Sequence, residues 1–332
     1  MDANHHDVNR SESSRGTPST RTSPRNPALS GLYAARSALF THPAFTSVIL
    51  PSLPRSIRWG LRRLYFLPAD VFERLAGTQD DLVPPKSEIF VGAVDTFRSS
   101  GDVLVERLVQ VAGLTPTSRV LDVGCGIGRL AVALADFLGE DGAYDGLDIV
   151  PSGIEWCNGH IAARRANFRF TLADVFNKEY NPKGRVPPSA FAFPYADASF
   201  DVVVLASVFT HMLPEDMEHY VAEFARVLKP GGRCFATFFL INDDAQRRME
   251  AGEGALRFRI HRTPAWIISA QVPEYGIGYD EPHVRALFER YGFSIDDGVY
   301  YGGWCGRAPF WYAESGLGDH DVIVATKPAP DD

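Results

Sequence analysis

The chain has 332 residues, 45% of them hydrophobic, with a net charge of −8 and a pI near 5.6. That is enough apolar material for one large α/β core with an appendage, and the acidity argues against a general polyanion binder, so nucleic acid is disfavoured as a partner. The four cysteines, Cys125, Cys157, Cys234 and Cys305, form no CxxC pair and suggest neither a zinc knuckle nor a disulfide framework. No apolar run approaches the roughly 20 residues that cross a bilayer, so a soluble, cytoplasmic protein is expected.

Residues 1–30 are rich in Ser, Thr, Pro, Asn and Arg and read as a disordered tail. From 31 to 100 the text is apolar but broken by Pro51, Pro54, Pro68, Pro84 and Pro85, which predicts a cap of short helices. Within it, Arg55, Arg58, Arg62 and Arg63 alternate with Ile57, Trp59, Leu61, Leu64 and Phe66. This basic amphipathic stretch suits a helix packed on the domain with its arginines in water, and a membrane surface or an anionic substrate are its alternatives.

From 101 to 328 helix and strand periodicities alternate. A helix over Val103–Val111 precedes a short buried strand at Arg119–Val123, which ends in a glycine loop and a helix carrying Leu130, Leu134 and Leu138. A strand at Tyr144–Ile149 leads to a capping-box pattern, Ser152-Gly153-Ile154-Glu155, and a helix to about Ala163. A third strand alternates Phe168, Phe170 and Leu172. After a Pro-rich excursion, Phe200–Ala206 reads as a fully buried parallel strand. Pro214 starts an amphipathic helix ended by Gly231-Gly232, a fifth strand spans Arg233–Phe239, and a helix near Pro282–Tyr291 precedes strands near Phe293–Tyr301 and at Asp321–Ala325. The class expected is α/β: a doubly wound, mostly parallel seven-stranded sheet with a C-terminal antiparallel hairpin and an N-terminal helical cap.

The chemistry concentrates in Val120-Leu121-Asp122-Val123-Gly124-Cys125-Gly126-Ile127-Gly128-Arg129, a strand running into three alternate glycines and a helix N-terminus. Such a loop lets a ligand reach backbone and places partial positive charge near an anionic group. Twenty residues on, Asp148 ends the second strand, where a carboxylate accepts ribose hydroxyls. A dinucleotide GxGxxG fingerprint would need glycine where Arg129 stands, and Asp174, at the end of the third strand, suits an adenine amino group. An adenosine cofactor without a pyrophosphate fits both observations. An NAD(P)-dependent oxidoreductase on a related fold and a non-catalytic protein that keeps the fold are the alternative readings.

Leu121-Asp122-Val123-Gly124-Cys125-Gly126-Ile127-Gly128, Asp148, Ala173-Asp174, Phe200-Asp201-Val202-Val203 and Leu228-Lys229-Pro230-Gly231-Gly232 together resemble the ordered motifs of class I S-adenosylmethionine-dependent methyltransferases, over about Val120 to Lys327. The resemblance implies that S-adenosylmethionine is the cofactor. It further implies that Asp122, Gly124, Gly126 and Gly128 organise the methionine end of that cofactor, that Asp148 holds the ribose, that Ile149, Asp174 and Val175 border the adenine, and that Ser207 sits beside it. His211, in the segment leaving the fourth strand, is the candidate general base, and a helix cap or a hydrogen bond to a loop carbonyl is its structural alternative. Asp201, at the opposite end of its strand, suits a structural role.

The long connection Asn177–Pro194 is read either as a cover for the site or as ordered surface structure. The aromatic cluster Tyr300, Tyr301, Trp304, Phe310, Trp311 and Tyr312 is read either as a ligand wall or as hairpin packing. No metal is expected, because His and carboxylate residues do not recur at ligand spacings. The function expected is methyl transfer to a small-molecule or lipid-linked acceptor, with no indication of oligomeric state.

Overall fold

The computed structural model describes residues 55–78, 80–90, 94–178, 180–295, 298–311 and 319–329. The expected tail, residues 31–54 and Tyr312 lie outside the described residues. The chain divides into two compact units, 1–61 and 62–332.

Helix α1 (Arg55–Leu75) is continuous through Pro68, which corrects the expectation of short proline-broken helices there. Asp70 anchors it just past that proline, its carboxylate accepting hydrogen bonds from the backbone N–H groups of Lys86 at 2.7 Å and Ser87 at 3.0 Å. Helix α2 (Phe97–Ala112) ends at Gly113, whose φ of 66° is the left-handed conformation that closes a helix.

The central sheet contains β1 (Arg119–Val123), β2 (Ala143–Asp148), β3 (Phe168–Leu172), β4 (Phe200–Leu205), β5 (Leu228–Phe238), β10 (Val299–Tyr300) and β11 (Asp321–Thr326), in the order β10-β11-β5-β4-β1-β2-β3. β1 through β5 pair in parallel, whereas β11 is antiparallel to both β5 and β10. The doubly wound sheet with its terminal hairpin is therefore observed. Its strands are apolar on consecutive residues because both faces are covered. Val120, Val202, Val204, Phe235 and Val324 point to the face packed by α2, α3 (Arg129–Phe137) and α4 (Pro151–Cys157). Their neighbours Leu121, Val203, Leu205, Ala236 and Ile323 point to the other, packed by α5 (Pro214–Val227) and α7 (Glu281–Arg290).

Helix α4 starts at Pro151 after an extended Val150 and makes no side-chain cap, so the predicted capping box at Ser152 is not used. Proline, already locked at a helical φ and lacking an N–H, takes the first position instead. β5 begins five residues earlier than expected, at Leu228, because Pro214's helix stops at Val227 and the glycines Gly231 and Gly232 lie within the strand. The strand expected near Phe293–Tyr301 is ordered as a ladder only at Val299–Tyr300, with an isolated bridge from Ser294 to Thr326.

A second sheet was not expected. Residues 240–280 insert β6 (Leu240–Ile241), helix α6 (Asp243–Ala251), β7 (Ile260–Arg262), β8 (Ala265–Ile267) and β9 (Ile277–Asp280), with strand order β6-β9-β8-β7. These strands are two to four residues long, too short for an alternating pattern to stand out. Trp304, with Phe239 and Phe258, forms their own small core. No helix among the described residues is long and apolar enough to cross a membrane.

Candidate functional site

The carboxyl ends of β1, β2 and β4 open into one cavity of about 500 Å³. Its walls carry Asp122, Gly124, Asp148, Ile149, Val175, Ser207 and His211, so seven of the ten site residues expected from the sequence converge there. This edge is where a doubly wound sheet binds ligands, because helix N-termini and loops converge on it.

At the glycine loop the backbone turns sharply: Gly124, Gly126 and Gly128 have φ of 83°, 61° and 86°. A Cβ on Gly124 would stand 2.3 Å from Val208 Cγ2, and one on Gly128 would stand 2.7 Å from Ile161 Cδ1. Gly128 is therefore required by packing against the turn after α4, and neither it nor Gly126 lines the cavity. Gly126 contributes instead by donating its N–H to Asp148 Oδ2 at 2.7 Å, while Val150 N donates to Oδ1 at 2.8 Å. Each carboxylate oxygen of Asp148 is thereby fixed and keeps a second lone pair for a ligand hydroxyl. Burial pushes the Asp148 carboxyl upward, and those backbone donors pull it back.

Asp122 is buried at the end of β1, and burial raises its pKa to about 7 despite the hydrogen bond it accepts from Tyr144 Oη at 2.7 Å. Arg129 also lines the cavity, its guanidinium pushed down by burial and pulled up by Asp122. Asp174 lies between two wall residues, Ala173 and Val175, with its own carboxylate paired to Arg185 Nε at 2.5 Å. Ser207 adopts a left-handed φ of 63°, rare for a side-chain-bearing residue, and its N–H donates to the buried Thr237 Oγ1 at 2.7 Å. That bond turns the chain from β4 back over the glycine loop.

His211 sits in the single turn Phe209–His211 and lines the cavity. Its Nδ1 lies 2.8 Å from the Glu274 carbonyl oxygen. A carbonyl can only accept, so Nδ1 carries the proton and Nε2 keeps its lone pair. Burial lowers the His211 pKa, holding the ring neutral near pH 7. The structural and the catalytic readings of His211 are thus compatible, since the loop carbonyl fixes the tautomer that a base needs.

His320 was missed. It immediately precedes β11, and because that strand runs antiparallel its first residue lands at the same edge as the last residues of the parallel strands. His320 lines the cavity, stacks on Phe239 at 4.8 Å and has a buried Nδ1 with no hydrogen-bond partner among the described residues. Burial, with smaller contributions from His211, Arg129 and Arg107, lowers its pKa to about 4. Tyr220, Met212, Ser100, Thr96 and Phe90 complete the wall on elements distant in sequence.

The connection after β3 is ordered by bridges Val175↔Val186 and Asn177↔Asn181, and it also supplies Asn177, Tyr180 and Pro188 to the wall. The described C-terminal aromatics do not line the cavity: Tyr300 stacks on Trp311 at 5.0 Å, and Trp304 is buried with its Nε1 donating to Asp321 at 2.7 Å. Asp201 accepts from Arg119 N and Lys229 Nζ, both at 2.8 Å, at the far end of β4. No group of three or more His, Cys, Asp and Glu suited to a metal occurs among the described residues.

Residues 120–232, the stretch that supplies the glycine loop, Asp148 and His211, match the methyltransferase domain family. The chain is 34% identical over 171 residues to the 27-O-demethylrifamycin SV methyltransferase of Amycolatopsis mediterranei, covering 48% of this chain and 56% of that protein. It is 30% identical over 143 residues to methyltransferase GfsG of Streptomyces halstedii, covering 42% and 45%. The chain thus carries a methyltransferase domain over residues 120–232, about a third of its length. It spans about half the length of these curated relatives. Among solved structures, the 1,6-didemethyltoxoflavin-N1-methyltransferase of Burkholderia thailandensis, described with bound S-adenosylhomocysteine, is 19% identical with a TM-score of 0.42 over 83% of this chain and 92% of that one.

For a class I methyltransferase cofactor the residues present are a fitting cradle. The cavity's volume falls in the range of ligand pockets, roughly 300–1,000 Å³. Asp148 is aimed by two backbone donors, and the apolar residues Ile149, Val150 and Val175 line the same cavity.

Proposed function

We propose that this methyltransferase acts on a hydroxyl of a small, largely apolar molecule. The observation that carries the reading is the joining, in one cavity, of the Asp148 cradle with a neutral imidazole whose Nε2 is free to take a proton. S-adenosylmethionine, when bound, supplies an activated methyl group on a sulfonium.

In this reading Asp148 accepts the ribose hydroxyls, the backbone at Asp122 and Gly124 meets the methionine portion, and Ile149 and Val175 face the adenine. Ser207, held by Thr237, borders the same ligand. His211 Nε2 receives the acceptor proton as the acceptor oxygen gains the methyl group, and the Glu274 carbonyl keeps the ring in the receiving tautomer. Phe90, Leu104, Met212 and Tyr220 give the acceptor an apolar wall, and Thr96, Ser100 and His320 give it polar contacts.

The choice of a hydroxyl over an amine follows from charge. The two carboxylates among the described residues of the wall, Asp122 and Asp148, belong to β1 and β2, and the other described wall residues include no acid to hold an ammonium group. The Amycolatopsis relative, named for an O-demethylated substrate, supports the same class.

The test is titration calorimetry of S-adenosylhomocysteine against the wild type and Asp148→Ala, with NADH as control, followed by an acceptor screen of phenols and aliphatic alcohols against amines. Micromolar binding that is lost in the variant, with turnover confined to hydroxyl acceptors, is expected. Binding of NADH instead, or turnover confined to amines, overturns the reading.

A further inference from the structure

Helix α1 leaves a continuous apolar stripe in solvent. Its inward side carries both of its acids beside the buried Ala69 and the half-buried Tyr65 and Phe66. Asp70 is buried against the backbone of Lys86 and Ser87, and Glu73 Oε1 pairs with Lys86 Nζ at 2.5 Å. Its apolar side faces out: Leu64, Leu67, Val71 and Leu75 follow at three- and four-residue steps, which stacks them in one stripe, and they are 66%, 50%, 48% and 84% exposed. A soluble helix ordinarily turns such a stripe inward, where burial of each side chain is favourable.

The charges are sorted along the same line. Of the two acids of the helix, Asp70 is buried and Glu73 is half-buried in its pair with Lys86, while Arg74 is exposed and Arg63, exposed as well, reaches Glu88 Oε1 at 3.3 Å. The described outer surface from residue 62 to 75 therefore combines leucine, valine and arginine with no exposed carboxylate, on a chain whose net charge is −8.

We infer that the outer face of α1 is a docking surface for an anionic lipid bilayer, with the Leu64/Leu67/Val71/Leu75 stripe entering the boundary of the acyl chains and the arginines meeting the headgroups. Charge complementarity decides for this occupant over a second copy of the chain, since a symmetric pairing of this helix would bring arginine against arginine. The site is independent of the chemistry in the cavity. Its consequence is that an apolar acceptor dissolved in, or linked to, a membrane lies close to the enzyme.

Flotation of the full-length protein with vesicles tests it, comparing pure phosphatidylcholine with phosphatidylcholine containing about one third phosphatidylglycerol. Binding to the anionic vesicles, weakened when ionic strength rises toward about 0.5 M and reduced at least ~10-fold in Leu67→Glu/Val71→Glu, is expected. Arg63→Glu/Arg74→Glu must reduce it as well, because a purely apolar contact would not depend on those arginines. These positions are exposed, so an unchanged melting temperature and unchanged S-adenosylhomocysteine binding show that the variants are folded. Equal binding to both vesicle types, or none to either, overturns the inference. So does a wild-type dimer in light scattering that Leu67→Glu/Val71→Glu converts to monomer.

Discussion

The two ends of the cavity are built by different means. The glycine-loop end is assembled from residues 122–150, a single βαβ unit in which the parts that meet are near neighbours in sequence: Gly126 N reaches Asp148 Oδ2, and Gly124 N reaches the Leu147 carbonyl oxygen at 2.7 Å. The opposite end is assembled across the chain, with His211 bonded to Glu274, 63 residues away, and His320 delivered by an antiparallel strand. Local assembly suits a cofactor site, whose ligand does not vary; assembly from distant loops suits an acceptor site, where one loop can change without disturbing the other.

The comparison breaks if a substitution at one end disturbs binding at the other. The largest separation is expected for His211→Ala. With a hydroxyl acceptor, kcat should fall by about 10³-fold, within the usual range for a general base, while S-adenosylhomocysteine affinity in calorimetry stays at the wild-type value. Because burial lowers the His211 pKa, the acid limb of the wild-type kcat profile should lie below about 6.5, the ordinary histidine value, and should disappear in the variant. A combined loss of cofactor binding and kcat would mean that His211 holds the loop rather than the proton.

Asp148→Ala is the mirror test. On the proposed reading it removes the acceptor of two ligand hydroxyls, and it frees the N–H groups of Gly126 and Val150, so S-adenosylhomocysteine affinity should drop by about 10²-fold. The melting temperature without ligand should fall as well, because two backbone N–H groups lose their acceptor, a loss offset only in part by removing a carboxylate whose charge burial disfavours. An affinity within threefold of wild type, roughly 0.6 kcal/mol, would remove Asp148 from the ribose site.

The same division explains what was legible in the sequence. The β1 loop, Asp148 and the buried strand at Phe200 announce themselves through short-range patterns: alternate glycines, an acid at a strand end, a run of apolar residues covered on both faces. His320 carries no such mark. Its position depends on β11 running against its neighbours, a feature of topology rather than of the residues around it. The sheet formed by residues 240–280 escaped for a related reason, since its short strands are held by pairing and by the Phe239, Phe258 and Trp304 cluster instead of by periodicity. Proline misled in the helical cap, where Pro68 lies inside α1 and the chain accommodates it.

His320→Gln sharpens the acceptor end through pH. The folded pKa of His320 is about 4, below the unfolded value of about 6.5. At pH 7 the folded group is neutral and the unfolded one mostly so, and the group contributes little pH dependence. As pH falls from 6.5 toward 4 the unfolded chain takes up the proton first, so wild-type stability should decline by up to roughly 3 kcal/mol from this group alone. Denaturant unfolding at pH 7 and pH 5 should show a smaller acid loss in the variant than in the wild type. Equal losses would place His320 in contact with water and not in a closed wall.

The smallest effect is expected at Asp201, an acid in the same strand as the site but at its far end. Its carboxylate ties Arg119 N to Lys229 Nζ, so it fastens the starts of β1 and β5 to the start of β4. Lys229 and Asp201 are both more than a third exposed, which screens their attraction, and the buried strands behind them remain paired. Asp201→Asn keeps an oxygen for the Arg119 N–H and removes only the charge, so it should cost about 0.5 kcal/mol, whereas Asp201→Ala should cost about 1 kcal/mol. Neither variant should alter S-adenosylhomocysteine affinity, since four strand residues separate the contact from the cavity edge at Ala206. A cofactor defect in Asp201→Ala with normal stability would show that the two ends of β4 communicate, and the division between a local cofactor end and a long-range acceptor end would then fail at its shared strand.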